Sequence, residues 1–311
     1  MIQRDKSQPL HLKYRPKTFD EFIGNEATIE ALKSVVSRTS GEVRSFLFTG
    51  PSGCGKTTLA RIVASELNCQ AKDIYEYNSA NTRGIDTIRE IAQSSRYLPL
   101  GGKIKVYLLD EIHKATADAQ NALLKLLEDT PKHIRFILCT TDPEKLIKTI
   151  KTRCSTFTVS SLQRSKIMKL LHWICSEEKV KVEEAVLQKI AECCDGSARQ
   201  GIVFLDQIID IENQETALQA IVDATVQDSS IKDLIQKLLQ PGISWKTLTP
   251  IIKSLDEEPE QIRRAILGYC EKVMLDSPNE RLCSIIEIFW DSWTYVGRAG
   301  LIRSCYRALN L

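Results

Sequence analysis

The run Gly50-Pro-Ser-Gly-Cys-Gly-Lys-Thr-Thr58 places a glycine, four residues, and then Gly55-Lys56-Thr57 in line. That spacing folds a loop whose backbone N–H groups turn inward around phosphates. Gly50, Gly53 and Gly55 free the backbone for the turn, and Pro51, Ser52 and Cys54 complete the cradle. Lys56 would reach the β- and γ-phosphates of a nucleoside triphosphate, and the Thr57 hydroxyl would ligate Mg²⁺. Thr58 follows inside the helix start, whose positive end favours anions. A second chemical feature is the acidic pair Asp110–Glu111, which ends the apolar run Val106-Tyr-Leu-Leu109. Asp110 would hold Mg²⁺ through its water shell, and Glu111 is placed to orient or deprotonate an attacking water. An apolar strand ending in Asp-Glu means little alone. Downstream of a P-loop it completes a Mg²⁺-nucleotide site.

Both features need a scaffold that brings their ends together. Ser45–Thr49 carries Phe46-Leu-Phe48 as a short apolar run into the loop, and Thr57–Leu67 leaves it at helical spacing. Strand, loop and helix are the context a P-loop requires. Further buried-strand candidates are Asp73–Asn78, Lys105–Leu109, Arg135–Thr140 and Ser155–Val159. Helical spacing covers Glu26–Arg38, Asp86–Ser95 and Asp118–Glu128, after a polar, loose lead-in over residues 1–13. Apolar strands alternating with helices predict an α/β fold with a parallel sheet covered on both faces. Beyond Ser160 only helices follow: Ser165–Ser176, Val182–Cys194 and Ser197–Ile209, with Asp195-Gly196 as a stop. From about 226 helices continue, broken by Pro241-Gly242, Pro259 and Pro278. The expected organisation is an α/β nucleotide-binding domain over 1–160, a small helical domain over 161–225 and a helical domain over 226–311. In the last, Ile285, Ile286, Phe289, Trp290 and Trp293 supply large apolar area, mostly core, with part available to a subunit interface.

The bulk composition narrows the class. The 311 residues carry 42 basic and 40 acidic side chains, a net charge of +2, which neither marks nor excludes a nucleic-acid binder. None of the ten cysteines forms a C-x-x-C pair, and none has zinc-ligand spacing with histidine, so no zinc is expected. They read as reduced core thiols, with Cys54, inside the P-loop, a candidate reactive thiol. The first residues lack an apolar signal region and no run approaches a membrane span. The expected location is therefore cytoplasmic, or a nucleoid or viral replication site, and neither secreted nor membrane.

Several segments, in order, resemble AAA+ sliding-clamp loader ATPases, the replication factor C small subunits and the bacterial DnaX (gamma/tau) subunits. They are Lys13-Tyr-Arg-Pro16, Phe19-Asp-Glu-Phe-Ile-Gly24, the P-loop, Arg83-Gly-Ile-Asp86, Asp110-Glu-Ile-His113, Asn121-Ala-Leu-Leu-Lys125, Thr140-Thr-Asp-Pro143, Thr152-Arg-Cys154 and Gly196-Ser-Ala-Arg199. The resemblance spans about residues 13–210. It implies an AAA+ domain, a helical lid and an all-α collar that oligomerises. It also implies Tyr14, Arg15, Ile23 and Gly24 closing over adenine, Thr141 as sensor 1, Arg199 as the sensor-2 arginine, and Arg153 as an arginine finger reaching a neighbour's nucleotide. Outside this motif Arg153 would read as a solvated loop residue. The partners implied are a sliding clamp, primer–template DNA and other loader subunits in a pentamer, with no membrane.

For DNA, the candidates are Arg83, Gly84, Ile85, Arg89, Lys114 and Thr116, at a helix start that can hold a phosphate without reading bases. The chain departs from DnaX in lacking its cysteine-rich insertion after the P-loop helix, where only Cys69 remains, and in Gln200, where an acidic residue is usual. Arg83-Gly-Ile-Asp86 is closer to replication factor C, so the motifs assign no lineage. The function implied is an ATPase whose ATP binding opens a clamp and grips DNA, and whose hydrolysis releases the clamp. Two alternatives are a branch-migration type AAA+ motor and a structural loader subunit that binds ATP without hydrolysing it.

Overall fold

The computed structural model describes residues 8–38, 43–211, 213–226, 229–255, 257–276, 279–293 and 296–311. Five strands form one parallel sheet: β1 Ser45–Thr49, β2 Ile74–Asn78, β3 Lys105–Asp110, β4 Ile134–Thr140 and β5 Ser155–Thr158. Their order is β2-β3-β4-β1-β5. The helices interleaved with them are α1 Leu10–Lys13, α2 Glu26–Ser37, α3 Lys56–Glu66, α4 Ile85–Ser94, α5 Ala117–Glu128 and α6 Lys148–Arg153.

The central strands are apolar throughout because both faces are covered. Alternate residues point to opposite sides. Phe46, Phe48, Val106, Leu108, Ile137 and Cys139 pack with Leu32 of α2 and with Leu59 and Val63 of α3. Leu47, Tyr107, Leu109, Phe136 and Leu138 pack with Ile88 and Ile91 of α4 and with Leu123 and Leu127 of α5. A parallel sheet brings all its carboxyl ends to one edge, where ligands of open α/β sheets bind. There β4 lies between β1 and β3, so the P-loop and Asp110 flank the residue that follows β4, Thr141.

Helices then take over: α7 Arg164–Glu177, α8 Glu184–Cys193, α9 Ala198–Ile208, α10 Gln214–Val226, α11 Ser229–Leu239, α12 Trp245–Ser254, α13 Pro259–Asp276, α14 Glu280–Ile288 and α15 Gly297–Leu309. The chain divides into two compact units. One runs to Leu170 and takes in Gly196–Gln200; the other comprises Leu171–Asp195 and Gly201–Leu311. In the second unit Leu234, Leu248, Ile266, Ile285, Phe289, Trp293, Leu301 and Cys305 share one core. Ile286 packs partly against it, whereas Trp290 is 70% exposed.

Two local expectations change. The lead-in is not loose over its whole length: residues 10–13 form α1, and Leu10, 1% exposed, anchors it. Arg153 does not lie in a loop but ends α6. Pro241-Gly242 separates α11 from α12 and Pro259 opens α13, where a missing N–H costs nothing. Pro278 lies outside the described residues. All ten cysteines are free thiols, seven of them buried. Among the described residues no helix is long and apolar enough to cross a membrane.

Candidate nucleotide-binding site

The loop after β1 has the conformation its glycines predict. Gly50, Gly53 and Gly55 take φ of 147°, 71° and 105°, in a region that side chains disfavour. Space demands glycine as well. A Cβ on Gly50 would lie 2.0 Å from the Val159 carbonyl oxygen, and one on Gly55 would lie 2.7 Å from the Phe22 ring. Lys56 opens α3 and is 5% exposed. Its ammonium donates to the carbonyl oxygens of Gly50 (2.8 Å) and Pro51 (2.7 Å), so it already lies along the inner side of the loop.

The Thr57 hydroxyl donates to Asp110 Oδ2 at 2.8 Å. A hydroxyl and a carboxylate from two elements thus converge on one point, the donor pair a hard cation with oxygen ligands takes. Asp110 Oδ1 accepts the Glu111 N–H at 3.0 Å. Glu111 itself adopts φ 51°, a left-handed turn that swings its carboxylate away from the strand direction. That carboxylate is held at Oε2 by two neighbours: Thr141 Oγ1 donates at 3.1 Å, and His113 Nδ1 lies 3.2 Å away. His113 Nδ1 also lies 3.1 Å from Thr140 Oγ1. Burial lowers the His113 pKa, outweighing the opposing pull of Glu111 and Asp142, which favours the neutral ring. Only the tautomer with hydrogen on Nδ1 can serve the carboxylate.

Arg15 donates from Nε to Thr58 Oγ1 at 3.1 Å, tying the segment before α2 to the start of α3. Burial first, and then the like charge of Arg61, lower its pKa, with Arg199 adding to the effect and Glu76 and Asp110 opposing it. Arg15 therefore feels the charges of Arg199 and Asp110. From the far side of the loop, Arg199 N–H reaches the Gly53 carbonyl at 3.5 Å, and Ser197 Oγ would lie 2.1 Å from a Cβ on Gly53. Gly24 (φ 80°) sits against Leu162, and Phe22, beside Ile23, packs under Gly55. Tyr14 closes α1, with the Lys13 ammonium 5.4 Å from its ring centroid.

Cys54 is 2% exposed and burial raises its pKa, so the expectation of a reactive thiol fails. The structure thus gathers Gly50–Thr58, Asp110, Glu111, Thr141, Arg15 and Arg199. Arg153 stands apart, donating to the Thr149 carbonyl at 3.1 Å and paired with Glu128 of α5. The DNA candidates form another group, at the starts of α4 and α5. Thr116 N–H donates to the Arg83 carbonyl at 3.0 Å, and the Thr116 hydroxyl caps α5 by accepting from Ala119 N–H. Arg83, Gly84, Arg89 and Lys114 are exposed, Ile85 is half-buried, and Arg89 pairs with Asp86 at 2.9 Å. Sequence reasoning gave no role to His113, Phe22 or Ser197. Each lay inside a segment quoted for the family resemblance: His113 in Asp110-Glu-Ile-His113, Phe22 in Phe19-Asp-Glu-Phe-Ile-Gly24 and Ser197 in Gly196-Ser-Ala-Arg199.

A family model described as "DNA polymerase III, delta subunit" matches residues 71–163. The DNA polymerase III gamma subunit of Buchnera aphidicola is 31% identical over 280 residues, 78% of this chain and 77% of that protein. The tau subunit of Salmonella typhimurium is 32% identical over 80% of this chain, and that of Bacillus subtilis 30% over 90%. The latter match reaches well beyond the stretch carrying the motifs. The chain spans less than half the length of the Salmonella typhimurium tau subunit (44%) and about half that of Bacillus subtilis (54%). The solved Thermotoga maritima RuvB branch-migration motor superposes with a TM-score of 0.62 at 21% identity, covering 84% of this chain and 91% of RuvB, a likeness of fold. With a P-loop facing Asp110–Glu111 on a five-stranded parallel sheet, and a gamma subunit matched over three-quarters of its length, the chain belongs to the DnaX (tau/gamma) family of AAA+ ATPase clamp-loader subunits.

Proposed function

We propose that this chain is the ATP-hydrolysing subunit of a sliding-clamp loader, in which ATP binding favours an open clamp gripped with primer–template DNA and hydrolysis releases it. The observation that carries this reading is the Thr57–Asp110 contact with Glu111 beside it, in a chain of this family. These residues fit ATP with Mg²⁺. Gly50, Gly53 and Gly55 have no room for side chains, and the Thr57 hydroxyl and the Asp110 carboxylate, which meet at 2.8 Å, are oxygen donors that would hold the cation. Bound Mg²⁺-ATP supplies a polarised γ-phosphate and a good leaving group. The rest is the work of the chain. Lys56 would exchange the Gly50 and Pro51 carbonyls for phosphate oxygens, and Thr57 and Asp110 would hold the cation. Glu111 takes the proton of the attacking water through the oxygen that Thr141 and His113 leave open. Arg199 links phosphate occupancy to the helices that follow it. Tyr14, Ile23 and Gly24 enclose the adenine, with Arg15 turned toward the phosphates.

Arg153 acts in this scheme on a neighbouring subunit's nucleotide, once free of Glu128, and Arg83, Gly84, Ile85, Arg89, Lys114 and Thr116 meet the DNA backbone. The three-part division into an AAA+ domain (1–160), a lid (161–225) and an oligomerising collar (226–311) belongs to the same proposal, as does a pentamer with other loader subunits. The test is steady-state ATPase of the chain assembled with its partner subunits, with and without clamp and primed DNA. Stimulation by both together is expected. Lys56→Ala should lose ATP binding in a filter or fluorescence assay, and unchanged affinity would contradict the site. The RuvB-like fold keeps one rival open, a junction motor. Branch migration of a four-way junction by the chain alone would favour it over the loader.

A further inference from the structure

Near the carboxyl end two packed helices carry cations and no acid. Helix α12 holds Lys246 and Lys253, α15 holds Arg298, Arg303 and Arg307, and neither contains Asp or Glu. All five side chains are exposed. Among the described residues none of them pairs with a carboxylate; Arg298 donates to the Ile252 carbonyl at 2.7 Å, which ties the two helices together. The chain's charges balance to +2, and several of its surface arginines, such as Arg61, Arg89 and Arg153, are paired with carboxylates. The apolar side of α15 is spent on the core through Leu301, Cys305 and Ala308. Its outer side presents Tyr306, 56% exposed, in edge contact with Trp245 of α12 at 5.5 Å between centroids. That contact fixes the Tyr306 ring while leaving much of it open.

We propose that the α12–α15 face binds single-stranded nucleic acid, its cations tracking the backbone and Tyr306 stacking on a base. Exposed cations around a fixed aromatic are the combination that sequence-independent single-strand binding uses. Arg303 and Arg307, four residues apart, share one side of α15 with Tyr306 between them and lie about 6 Å apart along the helix axis at 1.5 Å per residue. The charge argues against the other occupants. A second copy of the same face would set five cations against five. An acidic peptide would satisfy the charge but leave the Tyr306 ring without a planar partner. The site is separate from the Arg83–Thr116 group, which belongs to the other compact unit, and it does not depend on the nucleotide reading.

The test is fluorescence anisotropy of a labelled oligo(dT) with the full chain carrying Arg83→Ala, Arg89→Ala and Lys114→Ala, which removes the three cations among the proposed contacts in the first unit. In that background, Arg303→Glu with Arg307→Glu should weaken binding about tenfold or more at low salt. The slope of log affinity against log salt should fall by about 1.4, roughly 0.7 for each lost phosphate contact. Tyr306→Ala should weaken binding several-fold with the salt slope unchanged, a split that loss of charge alone cannot produce. Both substitutions lie on the exposed face, and circular dichroism checks that they fold. Unchanged affinity in the charge-reversed protein overturns the proposal. So does equal competition by polyglutamate with no effect of Tyr306→Ala, which would assign the face to an acidic protein. A change of native mass in the charge-reversed protein, without loss of oligo(dT) binding, would assign it to a subunit contact.

Discussion

In the proposed mechanism Glu111 is the base, and its surroundings bear on that role. A carboxylate that must take a proton from water needs one oxygen free and the other fixed. Thr141 and His113 both engage Oε2, at 3.1 and 3.2 Å. Glu111→Gln keeps the shape but removes the base. It should keep ATP affinity within about twofold while turnover falls by roughly 10²–10⁴, the usual contribution of a positioned base. Equilibrium binding and single-turnover hydrolysis in the assembled complex separate the two, and normal turnover would remove Glu111 from the mechanism. The P-loop, Asp110 and Glu111 were legible in the sequence because phosphate and Mg²⁺ chemistry constrains both residue type and spacing. His113 was not, because its role depends on a left-handed turn at Glu111 that folds it back onto the carboxylate.

At the scale of elements, apolar runs made the strands readable: Ser45–Thr49 has the bounds its pattern predicts. Helix α6 was missed because Lys148–Arg153 contains one buried residue, Ile150, too little for a period to show. Contacts between distant segments, such as Ser197 against Gly53, have no local trace at all. The end of α8 is a further case. Asp195 takes φ 48° just before Gly196, and its buried carboxylate pairs with Arg264 of α13. Burial outweighs Arg264 and, with Glu260 adding repulsion, raises the Asp195 pKa from 3.8 to about 6. A carboxyl raised in the fold binds more protons folded than unfolded between those values. Its contribution to stability is therefore full below pH 3.8 and is lost as the pH rises through about 6. The swing is on the order of 3 kcal/mol, at 1.36 kcal/mol per pKa unit. Asp195→Asn cannot titrate, so urea midpoints measured from pH 4 to 7 should fall less steeply with pH than in the parent. Parallel profiles would show that Asp195 ionises in the fold as it does in the unfolded chain.

At the scale of the whole molecule, the residues of a complete site do not all lie together. Lys56, Asp110 and Glu111 converge, while Arg153 ends α6 and is engaged by Thr149 and Glu128 of its own chain. A guanidinium paired with a carboxylate has little charge to offer elsewhere until a stronger anion replaces that partner. In the proposed assembly the γ-phosphate of a nucleotide bound to a neighbouring subunit would be such an anion, and it would accumulate charge in the transition state. Little turnover is therefore expected from the isolated chain. In the assembly, Arg153→Ala should leave ATP binding intact and lower stimulated turnover by a factor on the order of 10³, the low end of what an arginine finger contributes. The stronger test mixes two defective chains. A subunit with Lys56→Ala cannot hold ATP but keeps its finger; one with Arg153→Ala holds ATP but lacks it. Where the first lies beside the second in the right order, one interface regains both halves. Assemblies containing both variants should then show turnover above the sum of the separate preparations. If Arg153 acted within its own chain, or only supported the fold, no mixing ratio would restore activity.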